Sequence, residues 1–426
     1  MDWKKEIKLS DLLPGKGKSD PAEAWSEDGA ETEKEDKPKR KPSLGRGPKE
    51  EKQSKPKHSK QPQRKHTPVK KDGRARHKRL VGLKIGGSQL AAAQVTNNGL
   101  PELVRVAREA LDHGIVMGGE LREPDALAAA LKKFFKAHKL PRSGVRLGIA
   151  SNRIGVRVFE ISGIEDPKQL DNAIRFRAQE TLPIPLEETV LDYHVLGEHV
   201  DAEGTWVQRV LLVVAYRDLV ERYVAVCKKA GLKIVGVDLE AFALLRSLGD
   251  RPADGANAAV VVVSIGHDRS TLAVSNGSTC EFTRVIEWGG SKLDVAIARA
   301  LNKTPSEVVA LKRSLSLLEP EESIEDVSAE RAVALRSAVQ HELQTLAREL
   351  ISSLQFYQGQ PGSLGIGEIV ITGGTSELPG IDAELARLIG VAVRIGDPLS
   401  RVKRGKKLGE NGQIGSYAVA IGLAIE

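Results

Sequence analysis

Cysteine is nearly absent: the 426 residues contain two, Cys227 and Cys280. Neither sits in a paired spacing, so a disulfide framework and the Cys/His patterns of zinc or iron–sulfur sites are excluded, and a reducing compartment, the cytoplasm, is expected. Aromatic residues make up only 4% of the chain, too few for a stacking platform that holds single-stranded nucleic acid. Long apolar runs are missing as well. The longest, VLLVVAY (210–216) and AAVVVVSIG (258–266), have the length of buried strands and fall well short of the roughly 18–20 residues of a membrane span. The charged N-terminus has no apolar segment of the signal-peptide kind.

Charge is abundant and unevenly placed. The net +7 is the sum of −5 over residues 1–36, +15 over residues 37–79 and −3 over the remainder, so the basicity belongs to a tail. Residues 20–78 are rich in Lys, Glu, Pro, Ser, Gly and Gln with hardly a branched apolar residue. Such a segment cannot bury enough surface to offset its ordering entropy, and a disordered linker is expected. Ahead of it, MDWKKEIKLSDLLPG gathers Trp3, Ile7, Leu9, Leu12 and Leu13 into a short linear motif within residues 1–19. The basic tract 37–79 reads either as a solvated spacer or as a segment drawn to an anionic membrane surface, at up to ~1 kcal/mol per Lys or Arg. Nucleic acid is not expected as a partner, because no base-reading module accompanies the charge.

From Leu80 the pattern becomes orderly. LVGLKIGGSQLAAAQV (80–95) reads as strand, tight turn, strand, and AVVVVSIGHDRSTLAVSNG (259–277) repeats it: apolar strand, Ile-Gly, polar turn, apolar strand, Asn-Gly. Two halves that begin alike imply an internal duplication with a cleft between them. Between the copies, ELVRVAREAL reads as a third strand, 123–140 as a helix with Leu127, Leu131, Phe134 and Phe135 on one face, and 145–150 and 155–161 as strands. A helix over 166–181 is followed by an extended turn forced by Pro183 and Pro185, two alternating strands within 189–216, and an amphipathic helix closed by Gly231. Residues 303–361 read as helical and polar; 366–390 read as a buried strand, a Gly-Gly-Thr turn and a helix.

Three glycine-containing turns therefore end buried strands: Gly86-Gly87-Ser88, Gly266-His267-Asp268 and Gly373-Gly374-Thr375. Glycine lets backbone approach a ligand closely, and successive N–H groups form an anion-binding concavity. One such turn is an ordinary hairpin feature. Three in duplicated order point to a phosphate site.

Together these turns resemble the nucleotide cleft of the actin-like ATPase superfamily. Within it, the chain resembles the PilM family of type IV pilus assembly proteins, relatives of FtsA. The resemblance covers about residues 80–426, most specifically IRFRAQETLPIPLEETVLDYHVL (174–196), LLVVAYRDLVERYVAVCKKAGLKIVGVDLEAFALLRSL (211–248), ARELISSLQFY, and VITGGTSELPGIDAELARLIGVAVRIGDP. The terminal SYAVAIGLAIE has no basic amphipathic helix, which favours PilM over an FtsA-like cell-division protein. The resemblance implies an α/β, actin-like (ribonuclease H-like) duplicated fold with a central cleft and an inserted FtsA/PilM-type subdomain, behind a disordered N-terminal tail. Its expected parts are a first actin-like subdomain (79–157, 237–256 and 405–426), the insert (158–236), a second actin-like subdomain (257–300 and 365–404) and a small helical subdomain (301–364).

Carried onto this sequence, the family's ATP or ADP contacts fall on Gly86, Gly87, Ser88 and Gln89 in the first turn and on Gly266, His267, Asp268 and Arg269 in the second. Gly373, Gly374 and Thr375 would lie under ribose and base, and Gly290 and Lys312 would approach the nucleoside. Arg175, Arg177, Glu180, Leu182 and Pro183 are the expected peptide contacts, for the cytoplasmic N-terminal segment of a PilN-like inner-membrane protein. IKLSDLLP (7–14) has similar chemistry to that peptide and is read as a mimic of it or competitor with it, in the same chain or a neighbouring copy. Other pilus assembly proteins, the motor included, and self-association complete the implied partners.

One departure decides the expected chemistry. The family's two magnesium-holding aspartates are here Lys84 and Ser264. Mg²⁺ needs oxygen ligands, and losing both carboxylates removes the clamp that neutralises charge in phosphoryl transfer. Lys84 either places an ammonium beside the phosphates or fills the vacated pocket, paired with a neighbour such as Asp268. No metal ligand set and no catalytic residue is expected. The chain is read as a non-hydrolysing scaffold at the inner membrane, the alternatives being an active ATPase that drives pilus dynamics or an FtsA-like protein.

Overall fold

Alternation explains the centre of the molecule. In the computed structural model, which describes residues 77–164, 166–181, 185–249, 258–318, 328–405, 408 and 414–426, Val260 and Val262 face one core while Val261, Val263 and Ile265 face another. A strand covered on both faces has to be apolar throughout, which is why residues 259–265 read as a continuous run.

The strands and helices in chain order are β1 (Arg79–Ile85), β2 (Gln89–Thr96), β3 (Glu102–Ala110), a small hairpin of β4 (Val116–Met117) and β5 (Glu120–Leu121), α1 (Pro124–Ala137), β6 (Ser143–Ile149) and β7 (Ile154–Ser162). There follow α2 (Pro167–Thr181), β8 (Thr189–Val200), β9 (Trp206–Tyr216), α3 (Arg217–Lys229), β10 (Lys233–Leu239) and α4 (Glu240–Leu248). The second half holds β11 (Ala259–Ile265), β12 (Ser270–Ser275), β13 (Cys280–Ile286), α5 (Gly290–Leu301), α6 (Val309–Ser314), α7 (Ala329–Gln358), β14 (Ile366–Thr372), α8 (Ile381–Ile389), β15 (Val393–Ile395), β16 (Lys403–Arg404) and α9 (Ala418–Ala424).

Two sheets carry the duplication. The first has the order β10-β6-β1-β2-β3-β16 and the second β13-β12-β11-β14-β15. In each, a hairpin is joined on one side by an antiparallel third strand and on the other by two parallel ones: β1 lies parallel to β6 and β6 to β10, as β11 lies parallel to β14 and β14 to β15. Two helices lie between the sheets. Ala241, Ala243, Leu244, Leu245 and Leu248 of α4 pack with Val260, Val262 and Val370 of the second sheet, while Ala420, Ile421 and Ala424 of α9 pack with Leu80, Ala91 and Ala93 of the first. Small residues let the two helices touch. A Cβ on Gly422 would lie 1.8 Å from the carbonyl oxygen of Ala243.

A buried ion pair sits beside that contact. The Arg246 guanidinium pairs with Asp238, and its Nε donates to the Gly422 carbonyl at 2.8 Å; Asp238 also accepts from the Leu239 N–H at 2.7 Å. Arg146, on β6, donates to the carbonyls of Leu423 and Ile425 just beyond the same helix turn.

The inserted unit is a three-stranded antiparallel sheet, β7-β9-β8, with α2 laid on one face. Leu170, Ile174 and Ala178, four residues apart, form the stripe of α2 that meets Val210, Leu212 and Val214.

The sheets divide the chain at different points from the expected boundaries. β7 starts at Ile154, inside the range assigned to the first subdomain, whereas β10 joins the first sheet from Lys233 and β16 joins it at Lys403. At the C-terminal boundary of the insert the reason is packing: Leu219, Val220, Tyr223 and Cys227 of α3 share one core with Leu127, Leu131 and Phe135 of α1, a core that also takes in Val156, Leu211 and Val213 of the insert. The expected linear motif, linker and lipid-facing tract all fall, up to residue 76, outside the described residues. Among the described residues no helix is long and apolar enough to cross a membrane.

Candidate functional site

The hairpin and its copy end in the same turn. Gly86 N–H donates to the Gln89 carbonyl at 2.9 Å, and Gly266 N–H to the Arg269 carbonyl at 3.0 Å. Each turn is thus closed at its base, with two residues at its tip. Among the described residues no protein acceptor takes the N–H groups of Gly87, Ser88, His267 or Asp268. Unclaimed N–H groups at paired turn tips are what an anionic ligand needs.

The third turn docks on the second. Gly373 follows β14 with φ +98°, a backbone conformation that glycine adopts freely, and a Cβ there would lie 2.4 Å from the Ile265 carbonyl oxygen. The Gly266 carbonyl accepts from the Thr375 hydroxyl at 3.0 Å and from Gly290 N–H, the first residue of α5, at 2.9 Å. Lys312 of α6 reaches the Gly290 carbonyl at 3.2 Å and pairs with Asp294 of α5 at 2.7 Å, both side chains being largely buried.

One cavity of about 570 Å³ collects these parts. It is lined by all fourteen residues assigned above to the nucleotide: Lys84, Gly86 to Gln89, Gly266 to Arg269, Gly290, Lys312 and Gly373 to Thr375. Residues that sequence reasoning did not single out line it too, among them Arg108, Glu240, Asp294, Arg313, Glu377 and Ser416. A second cavity, about 730 Å³, lies between the β6–β7 junction, β13 and α7, and none of the expected site residues borders it.

Two side chains behave differently from expectation. Lys84 does not pair with Asp268; its ammonium stands 3.5 Å from Glu240, which is 4% exposed at the start of α4. Asp268 stays in the cleft, with its carboxylate 2.9 Å from where a Cβ on Gly87 would lie, and its Oδ2 accepts from Gly118 N–H at 2.8 Å, in the turn between β4 and β5. Arg269 turns its guanidinium away from the neighbouring tips, against Gly119, where an added Cβ would lie 1.6 Å from Nη1. The 118–120 turn is anchored in turn: the Tyr223 hydroxyl donates to the Gly119 carbonyl at 3.0 Å, and Glu120 stands 3.5 Å from Arg153. Arg153 also pairs with Asp218 and lies over the Tyr216 ring, 4.2 Å from its centroid, at the root of the inserted sheet.

The donor set of the paired turns suits a phosphate ligand. Glu240 faces the Lys84 ammonium, Asp268 lines the same cavity, and Ser264 on β11 is 3% exposed. Among the described residues no cluster of three His, Cys, Asp or Glu side chains is arranged to hold a metal. Burial holds the His267 imidazole below its ordinary proton affinity, with Asp294 opposing that effect.

Glu377 is a further titratable group of the cleft. Burial raises its carboxyl to about 7, with Arg108 and Arg313 opposing the rise; Tyr417 is the other titratable neighbour. The folded value lies above the unfolded one, so stability is full below about pH 4.5 and falls as pH rises toward about 7. Glu377→Gln is accordingly expected to leave the melting temperature unchanged at pH 4.5 and to raise it at pH 8. Equal shifts at both pH values would contradict this assignment.

Of the expected peptide contacts, Arg175 and Arg177 are exposed on α2, where Arg175 pairs with Asp171 at 2.9 Å and Phe176 between them is 64% exposed. Glu180 lies in the last turn of α2, away from the cleft turns in sequence, and Leu182 and Pro183 lie outside the described residues.

Comparison with known proteins follows the same lines. The family model for the type IV pilus assembly protein PilM matches residues 82–426, most of the chain. The chain belongs to the PilM family. Its fold is actin-like: a solved structure described as a PilM–PilN type IV pilus biogenesis complex superposes with a TM-score of 0.68 at 26% identity, covering 81% of this chain and 97% of that one. The cell division protein FtsA of Escherichia coli (strain K12) is 26% identical over 385 residues, 81% of this chain and 89% of FtsA. FtsA of Bacillus subtilis (strain 168) is 22% identical over 319 residues, 67% and 71% respectively. PilM family membership makes this an actin-like protein of type IV pilus assembly.

Proposed function

We propose that this PilM family member is a cytoplasmic scaffold that holds ATP or ADP without hydrolysing it and binds the cytoplasmic N-terminal peptide of a PilN-like inner-membrane protein. The observation that carries the nucleotide half is the pair Lys84–Glu240 in the cavity between the two turns. Free N–H groups at the turn tips attract phosphate, and the Lys84 ammonium adds a metal-independent charge beside them. The same ammonium repels a divalent cation, and Glu240 is engaged in holding it. Without a metal or another fixed cation at the developing charge, phosphoryl transfer lacks its main electrostatic stabilisation. Asp268 lines the same cavity, but its Oδ2 already accepts from Gly118 N–H.

The partner half is supported by the likeness to a PilM chain described in complex with PilN, and by the exposed Arg175-Phe176-Arg177 face of the inserted unit. On this reading the protein is peripheral to the inner membrane through its partners and couples them to the assembly motor.

Titration of the full chain with ATP in the presence of Mg²⁺ or of a chelator tests the reading. Binding is expected to be the same within about threefold in both, with no turnover above background in either. Magnesium-dependent turnover that Asp268→Ala abolishes would overturn it in favour of an active ATPase.

A further inference from the structure

Positive charge lines the cavity in two places. Lys84 stands with the paired phosphate turns, and Arg108 of β3 and Arg313 of α6 stand with the third turn. The two sets differ in how they are balanced. Among the described residues the lysines have carboxylate partners, Lys84 in Glu240 and Lys312 in Asp294, whereas neither Arg108 nor Arg313 forms an ion pair. Arg108 gives its Nη1 to the Ser416 hydroxyl at 3.2 Å, a contact that neutralises no charge, and Arg313 is exposed at the cavity's edge.

The acid beside them does not balance them either. Glu377 ends the short turn Thr375–Glu377, and the charges that act on it are Arg108 and Arg313 rather than the two lysines. Burial still raises its carboxyl to about 7, so near neutrality a large share of it is uncharged. Its Oε1 is buried, and among the described residues nothing donates to it. An uncharged carboxyl offers an O–H to an acceptor, and an anion bound beside it favours that form further. Two guanidinium groups and a carboxylic acid thus present donors and net positive charge to one spot. Guanidinium forks match phosphate oxygens in geometry and charge. A 5′-polyphosphate held by the paired turns occupies the other set, so a phosphate at this spot has to leave the nucleoside from a ribose hydroxyl.

We propose that Arg108, Arg313 and Glu377 form a second phosphate subsite, and that the cleft prefers a nucleotide phosphorylated on a ribose hydroxyl as well as at its 5′ end. The inference rests on the nucleotide reading given above and goes beyond it by naming the ligand class. One arginine comes from the first sheet and the other from the second half, so the added phosphate ties the two sides of the cleft together.

The test is calorimetric titration of the full chain with ADP, ATP, and ADP carrying an added 2′- or 3′-phosphate. ATP and the two phosphorylated forms of ADP have the same number of phosphates, so a difference among them reports placement and not charge alone. One of the two forms is expected to bind wild type about tenfold or more tightly than ATP, the size of a lost or gained charge-assisted contact, and which one tells the 2′ from the 3′ position. In Arg108→Met/Arg313→Met that ratio is expected to fall to about one. If wild type binds neither form more tightly than ATP, the proposal is overturned while the nucleotide reading stands. A ratio that survives the double variant overturns it as well. Failure of wild type to bind any of the four ligands overturns both. Should the double variant not fold, Arg313→Met decides alone, because Arg313 is exposed and α6 buries no side chain: an unchanged ratio in that variant overturns the proposal.

Discussion

Arg246→Met is expected to destabilise the protein by about 3–5 kcal/mol, the effect of stranding one member of a buried ion pair. Asp238 is 1% exposed; apart from Arg246 it accepts from the Leu239 N–H, and the buried Arg146 guanidinium is the remaining positive charge that acts on it. The methionine fills much of the space left by the arginine stem, so packing changes little and the loss reports the broken Arg246–Asp238 pair. The Gly422 carbonyl, which accepts from Arg246 Nε, is stranded as well. The second change Asp238→Asn removes the stranded charge, and the double variant Asp238→Asn/Arg246→Met is expected to recover at least about 1 kcal/mol relative to Arg246→Met. Urea denaturation followed by tryptophan fluorescence measures both. A single-variant loss below about 1 kcal/mol would show that water reaches the pair, against the burial described here.

Gly422→Val is the second large effect. Its Cα lies against the Ala243 carbonyl, so that even a Cβ would lie 1.8 Å from the oxygen. The obstacle is helix backbone, which cannot rotate aside as a side chain can. Overpacking of this kind costs about 1–3 kcal/mol in an adaptable core and more where backbone has to move. A loss of about 3 kcal/mol or more is therefore expected, read as a fall in melting temperature and in the yield of folded protein. Gly99→Val serves as the contrast: no atom lies within 4 Å of a Cβ there, although its φ of +84° adds backbone strain. If both glycines tolerate valine equally, α4 and α9 are not in contact as described.

The hairpin, its copy and all three glycine turns were legible in the sequence because each is a local matter: alternating apolar residues, then a glycine where the chain reverses. The fourteen cleft residues named from the turns and from family resemblance all line one cavity for that reason. Glu240, Arg108, Arg313 and Glu377 were not singled out. Glu240 follows the apolar strand KIVGVDL directly, and a carboxylate on the buried side of such a strand end is a readable signal. Asp294 likewise shares a buried face with Leu293 and Ile297, where an unpaired charge is not tolerated and a partner such as Lys312 is implied. Arg108 and Glu377 give no such sign. They reach the cleft only through long-range packing of β3 and the third turn. The partner of Lys84 was misassigned for a related reason: Asp268 is near in the repeat pattern, but the Gly118 amide, 150 residues away, claims it.

The turn at 118–120 can also be regarded as a mechanical linkage. At one end it is joined to the second phosphate turn by a hydrogen bond to Asp268, at the other to the root of the inserted sheet by Glu120 and Arg153. Tyr223 pins its middle to α3. A body pinned at its centre and jointed at both ends is a rocker. Asp268 itself lines the cleft, so a shift of its carboxylate either parts the first joint or tilts the turn, and a tilt displaces Glu120 relative to Arg153. Other links run beside it, among them the Arg209–Glu281 pair between β9 and β13, so the turn is one of several joints through which the insert meets the cleft half.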